Sequence, residues 1–114
     1  MSECLFCRIV SKQIPAKVEY EDADLVAIQD IHSQAPLHLL LIPKRHLAGI
    51  ADMTEKDVRM IGQLVYRAKK IAEAKKVAES GFRLVFNSGS EGGQTVFHIH
   101  LHLLAGRQMT WPPG

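Results

Sequence analysis

The chain has 114 residues, of which 46% are hydrophobic and 23% are charged, and its formal net charge is +2. This length suits one domain and is short for two, so we expect a single domain over residues 1–114. The weak charge, with basic residues that do not alternate with aromatic ones, argues against a nucleic-acid partner. No bilayer-spanning stretch and no secretory leader at Met1-Ser2-Glu3-Cys4 are visible, so we expect a cytoplasmic protein without a membrane partner.

The first part of the chain is predicted to form a short lead-in and three strands. Residues 4–11 form a helical or irregular segment, which stops at Ile14-Pro15 because proline disfavours helix in the residue before it. Three runs with strand character follow, and a polar turn at Asp22-Ala23-Asp24 joins the first two. These strands are predicted over residues 17–21, 25–30 and 37–42.

One long helix is predicted in the middle of the chain. Residues 54–57 have the form of a capping box, in which the two end side chains satisfy backbone N–H groups. We expect the helix to run to about Ala78 and to stop at Ser80-Gly81, where glycine can adopt the left-handed conformation. Apolar residues recur every three or four positions and indicate a buried face. They are Val58, Ile61, Val65, Ala68 and Ala72.

Two strands separated by a glycine-rich loop are predicted next. Residues 82–87 alternate as a fourth strand, and residues 88–94 form a loop whose exposed backbone N–H groups suit a phosphate. Residues 96–104 form the last strand, and the tail after it is irregular. One face of the last strand carries Phe97, Ile99, Leu101 and Leu103, and the other carries His98, His100 and His102.

This order of elements indicates the α+β class with an antiparallel sheet, because strands and helices do not alternate regularly. A five-stranded sheet leaves edges that need protection. Pairing with a second copy is a common solution, so a homodimer is a reasonable expectation.

Alternate histidines on one strand allow several interpretations. The pleat sets neighbouring side chains on one face about 6.6 Å apart. The simplest interpretation is a polar strand face, and a second is a metal site, since two such histidines can share one zinc ion. A third is nucleophilic catalysis by a neutral imidazole, which the neighbouring glycine-rich loop favours. Separately, the pair Cys4 and Cys7 suits thiols or metal ligands better than a disulfide in a reducing compartment.

The segment His98-Ile99-His100-Leu101-His102-Leu103-Leu104 resembles the signature of the histidine-triad (HIT) family. Matches to the Hint branch of that family extend over nearly the whole chain. The resemblance implies a HIT-like fold, with a five-stranded antiparallel sheet, one long helix, one short helix and a homodimer. The further matches are Ile14-Pro15-Ala16-Lys17, Asp30-Ile31, Gln34-Ala35-Pro36, Ile42-Pro43-Lys44, Gly92-Gly93-Gln94, Gly106-Arg107-Gln108-Met109 and Trp111-Pro112-Pro113-Gly114.

The same resemblance implies a hydrolase that binds purine mononucleotides (AMP or GMP) and cleaves the P–N bond of nucleoside phosphoramidates, without an organic cofactor. His100 would form a nucleotidyl-histidine intermediate, His102 would contact the phosphate oxygens, and His98 would complete the triad. Further implied substrate contacts are Phe6, Ile9 and Ile31 at the base, Asp30 at the ribose, Asn87 and Thr95 near the phosphate and leaving group, and Gly93, Gln94 and Trp111.

Some members of the family bind zinc through an N-terminal C-x-x-C pair. The resemblance therefore implies a structural Zn²⁺ held by Cys4, Cys7, His46 and His98, a closed set of two thiolates and two imidazoles. Two unliganded thiols in a short helix are the alternative. His32 and His38 are expected to be satisfied or solvated histidines with no assigned role.

Other functions are open at this point. A zinc-dependent hydrolase, a dinucleoside polyphosphate hydrolase and a non-catalytic dimeric nucleotide-binding module would each use a similar pocket. Nucleotide transfer between sugars is disfavoured, because His102 stands where that branch of the family typically has glutamine. The Trp-Pro-Pro-Gly ending points away from the Fhit branch, which is typical of dinucleoside polyphosphate hydrolysis.

Overall fold

A five-stranded antiparallel sheet organises the chain in the computed structural model, which describes residues 3–114. The expectation about a leader at Met1 and Ser2 lies outside these residues. The strands lie in the order β1-β2-β3-β5-β4, which confirms the predicted α+β class with one short and one long helix. In chain order the elements are α1 (Leu5–Val10), β1 (Val18–Glu21), β2 (Leu25–Gln29), β3 (Leu37–Pro43), α2 (Val58–Ala74), β4 (Phe82–Phe86) and β5 (Leu101–Ala105).

The central strand, β3, pairs with β2 on one side and β5 on the other. Leu39 is opposite Gln29 of β2 and Leu103 of β5. The turn between β1 and β2 forms as predicted, because Asp22 Oδ1 accepts the N–H groups of Asp24 and Leu25 at 2.8 and 3.0 Å. The middle of the sheet is therefore fixed by pairing on both sides.

Each face of the sheet buries its own apolar cluster. Helix α2 covers one face, and α1 covers part of the other through Phe6. Burial of this apolar area is the main stabilising contribution to the fold. The cluster under α2 contains Leu25, Ala27, Leu39, Leu41, Leu64, Ala68, Ile71, Leu101 and Leu103, and the cluster under α1 contains Val26, Ile28, Leu40 and Ile42.

The apolar face of α2 is rotated from the predicted one. Leu64 and Ile71 are buried with Ala68, whereas Val58 and Val65 are 57% and 40% exposed. Two overlapping apolar stripes run along this helix, and the sheet covers only the one that carries Leu64 and Ile71. The prediction that Val58 and Val65 belong to the core is therefore wrong.

Helix α2 also ends earlier than predicted, at Ala74. Lys76 adopts the left-handed conformation (φ 61°), and Val77 N–H and Lys76 N–H donate to the carbonyls of Ala72 and Glu73. This pair of bonds is a Schellman motif, which satisfies the last carbonyls of the helix. Lys76 thus closes the helix five residues before Gly81, which we had expected to do so.

The last strand is shorter than predicted and begins at Leu101. Its pairing with β3 stops at the Leu41–Leu101 pair, so residues 96–100 approach the sheet without joining it. Phe97 is 53% exposed and does not belong to the core face, although Ile99 does. Of the three alternating histidines, only His102 lies within a strand.

Within residues 3–114, no helix is long and apolar enough to cross a membrane.

Candidate active site

His100 presents an unprotonated ring nitrogen to a cavity. Its Nδ1 lies 2.9 Å from the backbone oxygen of His98. A carbonyl oxygen can only accept a hydrogen bond, so Nδ1 carries the proton and Nε2 keeps a lone pair. The buried ring packs edge-on against Phe6, with 4.9 Å between the ring centroids. His100 therefore has the tautomer and the fixed orientation that a nitrogen nucleophile needs.

His102 is oriented by a second buried histidine, His38. The backbone N–H of Gln34 donates to His38 Nδ1 at 3.0 Å, so a neutral His38 carries its proton on Nε2. That Nε2 lies 2.9 Å from Nδ1 of His102. His102 then accepts at Nδ1 and carries its own proton on Nε2. The His102 ring, whose centroid is 5.0 Å from that of His100, therefore presents a hydrogen-bond donor to the cavity.

Burial keeps these rings neutral. It is the main cause that lowers the pKa of His100 and of His38, and Asp30 opposes the shift in both cases. The pKa of His102 falls to about 4, first through burial and then through the nearby His100 and His38. At neutral pH the site combines a lone pair on His100 with a neutral donor on His102.

A cavity of about 520 Å³ lies in front of these two rings. Its walls are largely apolar with a few polar side chains among them, as in small-molecule sites generally. Most of the predicted substrate contacts line it together with His100. They are Phe6, Ile9, Asp30, Ile31, Asn87, Gly93, Thr95 and His102.

The glycine-rich loop beside the cavity needs its glycines but uses its N–H groups internally. A Cβ on Gly92 would lie 2.5 Å from the Ser88 carbonyl oxygen, and Gly93 has a φ of 88°. The N–H groups of Gly93 and Gln94 donate to the carbonyls of Ser90 and Gly89. We had expected the backbone N–H groups of this loop to be exposed for binding a phosphate, and this is wrong for Gly93 and Gln94. Hydrogen-bond donors for a bound anion are instead expected among the side chains that line the cavity.

Two predicted substrate contacts lie elsewhere. Gln94 is buried, and its side chain accepts from Gly89 N–H and donates to the carbonyls of Ala48 and Val96. Its side-chain polar atoms are thus engaged in holding the loop, and it does not line the cavity. Trp111 is 83% exposed and does not line the cavity of its own chain.

A second cluster brings together Cys4, Cys7, His46 and His98, whose ligand atoms all lie within 4.8 Å of one another. Nδ1 of His98 is 3.3 Å from Cys4 Sγ and 3.1 Å from His46 Nδ1, and Cys7 Sγ is 3.3 Å from His46 Nδ1. In a tetrahedral zinc site with bonds of about 2.0–2.3 Å, such atoms are about 3.3–3.6 Å apart. The four residues can therefore hold one metal ion.

The protonation of His98 fits that role. Its Nε2 lies 2.8 Å from the Pro43 carbonyl oxygen, so Nε2 donates and Nδ1 is left unprotonated toward the cluster. His98 therefore belongs to the four-residue cluster through its ring and to the active site through its backbone oxygen. Asp30, His38 and His102 also lie within 4.8 Å of one another, and their hydrogen bonds account for that spacing.

Several known proteins are similar to this chain. The family model described as "Scavenger mRNA decapping enzyme C-term binding" matches residues 3–111. The chain is 47% identical to "Adenylylsulfatase HINT1" of Arabidopsis thaliana over 99% of this chain and 78% of that protein. It is also 47% identical to the "14 kDa zinc-binding protein" of Zea mays, over 99% and 89%.

A solved structure of a HIT family hydrolase from Legionella pneumophila is 55% identical and superposes with a TM-score of 0.97, covering 98% of this chain and all of that one. The chain belongs to the histidine-triad family. It is a hydrolase of that family, and its relatives place it in the Hint branch. The alternating pattern placed His98, His100 and His102 on one face of a strand, but the structure brings only the rings of His100 and His102 to the cavity. The His98 ring lies with Cys4, Cys7 and His46 instead.

The contact of His38 with His102 was not predicted from the sequence. We had expected a satisfied histidine without a role, and the ring is indeed satisfied, but its partner is His102. The signal was its position in an otherwise apolar strand. A histidine buried there needs a polar partner, and the neighbouring strand of the triad can supply one.

We predict that stability rises with pH between about 4 and 6.5, partly because of His102. An unfolded chain binds a proton at this residue below about pH 6.5, whereas the folded chain binds it only near pH 4. The slope attributable to this residue is at most about 1.4 kcal/mol per pH unit. Urea unfolding of the wild type and of His102→Gln over this range measures it. Parallel stability curves for the two proteins would contradict the assignment.

Proposed function

We propose that this histidine-triad hydrolase cleaves the P–N bond of purine nucleoside phosphoramidates through a covalent nucleotidyl-histidine intermediate on His100. The observation that carries the proposal is the hydrogen bond from His100 Nδ1 to the His98 carbonyl, which leaves the Nε2 lone pair for the cavity. A buried, neutral imidazole of this tautomer is a competent nucleophile at neutral pH.

The reaction runs in two displacements at phosphorus. In the first, Nε2 of His100 bonds to phosphorus, the P–N bond breaks, and the leaving nitrogen takes a proton from solvent and departs as an amine. In the second, water attacks phosphorus and gives up a proton to solvent, the bond to Nε2 breaks, and the nucleoside monophosphate is released. His102 donates to the phosphoryl oxygens, where negative charge accumulates in both steps. One water molecule is consumed in each cycle.

The cavity walls support a purine nucleotide. Phe6, Ile9 and Ile31 offer an apolar surface for the base, and Asp30 offers a carboxylate for the two ribose hydroxyls. Asn87, Gly93 and Thr95 line the same cavity as His100 and His102. In the proposal, the Asn87 amide and the Thr95 hydroxyl contact the phosphate and the leaving group.

Two other substrates share the same chemistry at phosphorus. The Arabidopsis relative is named an adenylylsulfatase, so adenylyl sulfate is a candidate with a different leaving group. A dinucleoside polyphosphate is a second candidate. A non-catalytic nucleotide-binding module is the alternative in which the same cavity binds AMP without turning over any of these compounds.

We predict that His100→Ala lowers hydrolysis of adenosine 5′-phosphoramidate by about a thousandfold or more, as removal of a nucleophile does. The measurement is the release of AMP under saturating substrate. Asn87→Ala is the matched control in the same cavity, since it removes a contact and leaves the nucleophile. Its loss should be clearly smaller.

Intact-protein mass spectrometry of wild-type samples quenched during turnover should show a nucleotide adduct that maps to His100. A His100→Ala protein that keeps near-full activity would refute the nucleophile. A wild type that binds AMP but turns over neither the phosphoramidate nor adenylyl sulfate would instead support the binding module.

We further propose that Cys4, Cys7, His46 and His98 hold a structural Zn²⁺. The donor set, two sulfurs and two imidazole nitrogens, is one that zinc favours, and it leaves no open position for a substrate. When bound, the ion links α1 to the segment before β5. The name of the maize relative, a zinc-binding protein, agrees with this set. Such thiolate ligands persist in a reducing environment, in line with the proposed cytoplasmic location.

We predict one zinc per chain by metal analysis and a melting temperature that falls by roughly 5 °C or more after chelation, because the ion connects distant segments. The double variant Cys4→Ser/Cys7→Ser is the control, and chelator should not destabilise it further. A chelated protein with an unchanged melting temperature but no turnover would indicate a catalytic zinc instead.

The predicted homodimer is also part of the proposal. Strand β4 is at one edge of the sheet, and its apolar side chains Phe82, Leu84 and Phe86 are only partly buried. Val58 and Val65 form an exposed stripe on α2 and lie one turn before and one turn after Ile61. Ile61 packs on the same apolar cluster as Phe82, Leu84 and Phe86. Pairing of two copies through β4, with the two stripes in contact, would cover both features.

We predict that Val65→Glu halves the mass measured by light scattering from that of a dimer to that of one chain, since it places a charge in the proposed interface. Tyr66→Glu is the matched control, because Tyr66 is also exposed but points away from the Val58–Val65 stripe. A wild type that is monomeric at high concentration would contradict the homodimer.

A further inference from the structure

The two cysteines of the chain lie close enough to react with each other. The sequence has no others, so a disulfide within one chain can join only Cys4 and Cys7. Both sulfurs contact the same atom, Nδ1 of His98, at 3.3 and 3.5 Å, and they lie within 4.8 Å of each other. A disulfide bond is about 2.0 Å long, so the sulfurs need only a short approach to form one.

The backbone at Cys4 allows this approach. Cys4 is the N-cap of α1 and has extended backbone angles (φ −71°, ψ 122°). The Cys7 N–H donates to the Cys4 sulfur at 3.4 Å, which keeps the Cys4 side chain over the first turn of the helix, next to Cys7. Because Cys4 precedes the helix, its side chain can reach the Cys7 sulfur while α1 keeps its backbone hydrogen bonds.

The cysteine pair is open to small oxidants. Cys4 and Cys7 are each partly exposed and His46 is exposed, whereas His98 is buried. Zinc binds cysteine as the thiolate, and the thiolate is also the form of cysteine that attacks a peroxide. The two sulfurs therefore combine the mutual distance, the exposure and the protonation state that oxidation to a disulfide requires.

We propose that Cys4 and Cys7 form an oxidation site, at which a peroxide converts the two zinc-binding thiolates into a disulfide and Zn²⁺ is released. The inference rests on the proposed function, which places Zn²⁺ on these residues. It gives the cluster a second state beyond the structural one, in which His46 and His98 no longer share a ligand set with the cysteines.

The oxidation has two steps. In the first, one thiolate attacks a peroxide oxygen, the O–O bond breaks, and a sulfenic acid and hydroxide form. In the second, the other thiolate attacks the sulfenic sulfur, the S–S bond forms, and a second hydroxide leaves. The two sulfurs together lose two electrons and the peroxide gains them, while the charge of the zinc ion does not change. A thiol reductant reverses the reaction.

The oxidation site is connected to the active site through Phe6 and His98. Phe6 lies between the two cysteines in α1 and packs edge-on against the rings of His98 and His100, with 6.0 and 4.9 Å between centroids. The His98 ring faces the cysteine sulfurs with Nδ1, and its backbone oxygen accepts from His100. Loss of the shared zinc ion loosens both supports of the His100 ring. We expect kcat to fall by about tenfold, the effect of one weakened hydrogen bond.

Peroxide titration of the zinc-loaded protein tests the proposal without relying on turnover. Released zinc is measured with a chromophoric indicator, and the cysteine peptides are mapped by mass spectrometry. We expect one zinc ion released for each Cys4–Cys7 disulfide formed within a chain, and zinc binding restored by dithiothreitol with added zinc. Three results would overturn the oxidation site: zinc that stays bound, zinc release with sulfinic acid in place of a disulfide, or a disulfide between chains.

The double variant Cys4→Ser/Cys7→Ser is the matched control for the link to the active site. It keeps every methionine and histidine, so other oxidative damage is unchanged while the disulfide is impossible. Peroxide should lower the rate of phosphoramidate hydrolysis about tenfold in the wild type and should not change the rate of the control, whatever its basal value. Dithiothreitol reduces a disulfide and not a methionine sulfoxide, so it should restore the wild-type rate. An equal loss in both proteins, or a wild-type loss that dithiothreitol does not reverse, would overturn the link.

Failure of the oxidation site and failure of the proposed function give different results. A protein that binds no zinc refutes the proposed zinc site and the release of zinc with it. A protein that binds zinc but keeps it in peroxide refutes the oxidation site alone. A zinc-loaded protein that hydrolyses no phosphoramidate refutes the proposed hydrolysis, and the measurements of zinc and disulfide then decide the oxidation site.

Discussion

The hydrogen bond from the His100 ring to the backbone oxygen of His98 is the constraint on which the site depends. At 2.9 Å it fixes the ring, places the only ring proton on Nδ1 and leaves Nε2 with its lone pair. Three neighbouring residues support this orientation of the His100 ring. Phe6 packs against the ring and helps to bury it, and His102 supplies the donor next to it. The His98 ring donates to the Pro43 carbonyl and lies against Cys4, Cys7 and His46, which keeps the accepting His98 carbonyl in place.

That carbonyl is free to accept the ring N–H because the chain joins the sheet only after the active histidine, at Leu101. In a regular antiparallel ladder, backbone carbonyls are paired with a neighbouring strand. Pairing of β5 with β3 begins only at Leu101, and the Ile99 N–H bonds to Leu47 instead. The backbone of this irregular segment is therefore not paired with a neighbouring strand, and the His98 carbonyl instead accepts from the His100 ring and fixes its tautomer. This is a local departure from regular structure at a functional site, as is common in proteins.

Periodicity and turn chemistry predicted the strands to within one or two residues, apart from the last, because those signals are local. Three features were not local. The sheet, and not the helix, decides that Leu64 faces inward while Val65 does not. Lys76 closes α2 because its own N–H and the next one bond to carbonyls of the last helical turn. A lysine in a sequence does not predict such a helix end. The role of His38 depends on a strand 64 residues away, so only the register of β3 against β5 reveals it.

Neutron diffraction from deuterium-exchanged crystals near neutral pH tests the central claim most directly, because it locates the ring protons. The account predicts a deuteron on His100 Nδ1, aimed at the His98 carbonyl oxygen, and none on Nε2. A deuteron on Nε2, or a metal ion bound to it, would contradict the account, since the nitrogen assigned to attack phosphorus would then have no lone pair to use.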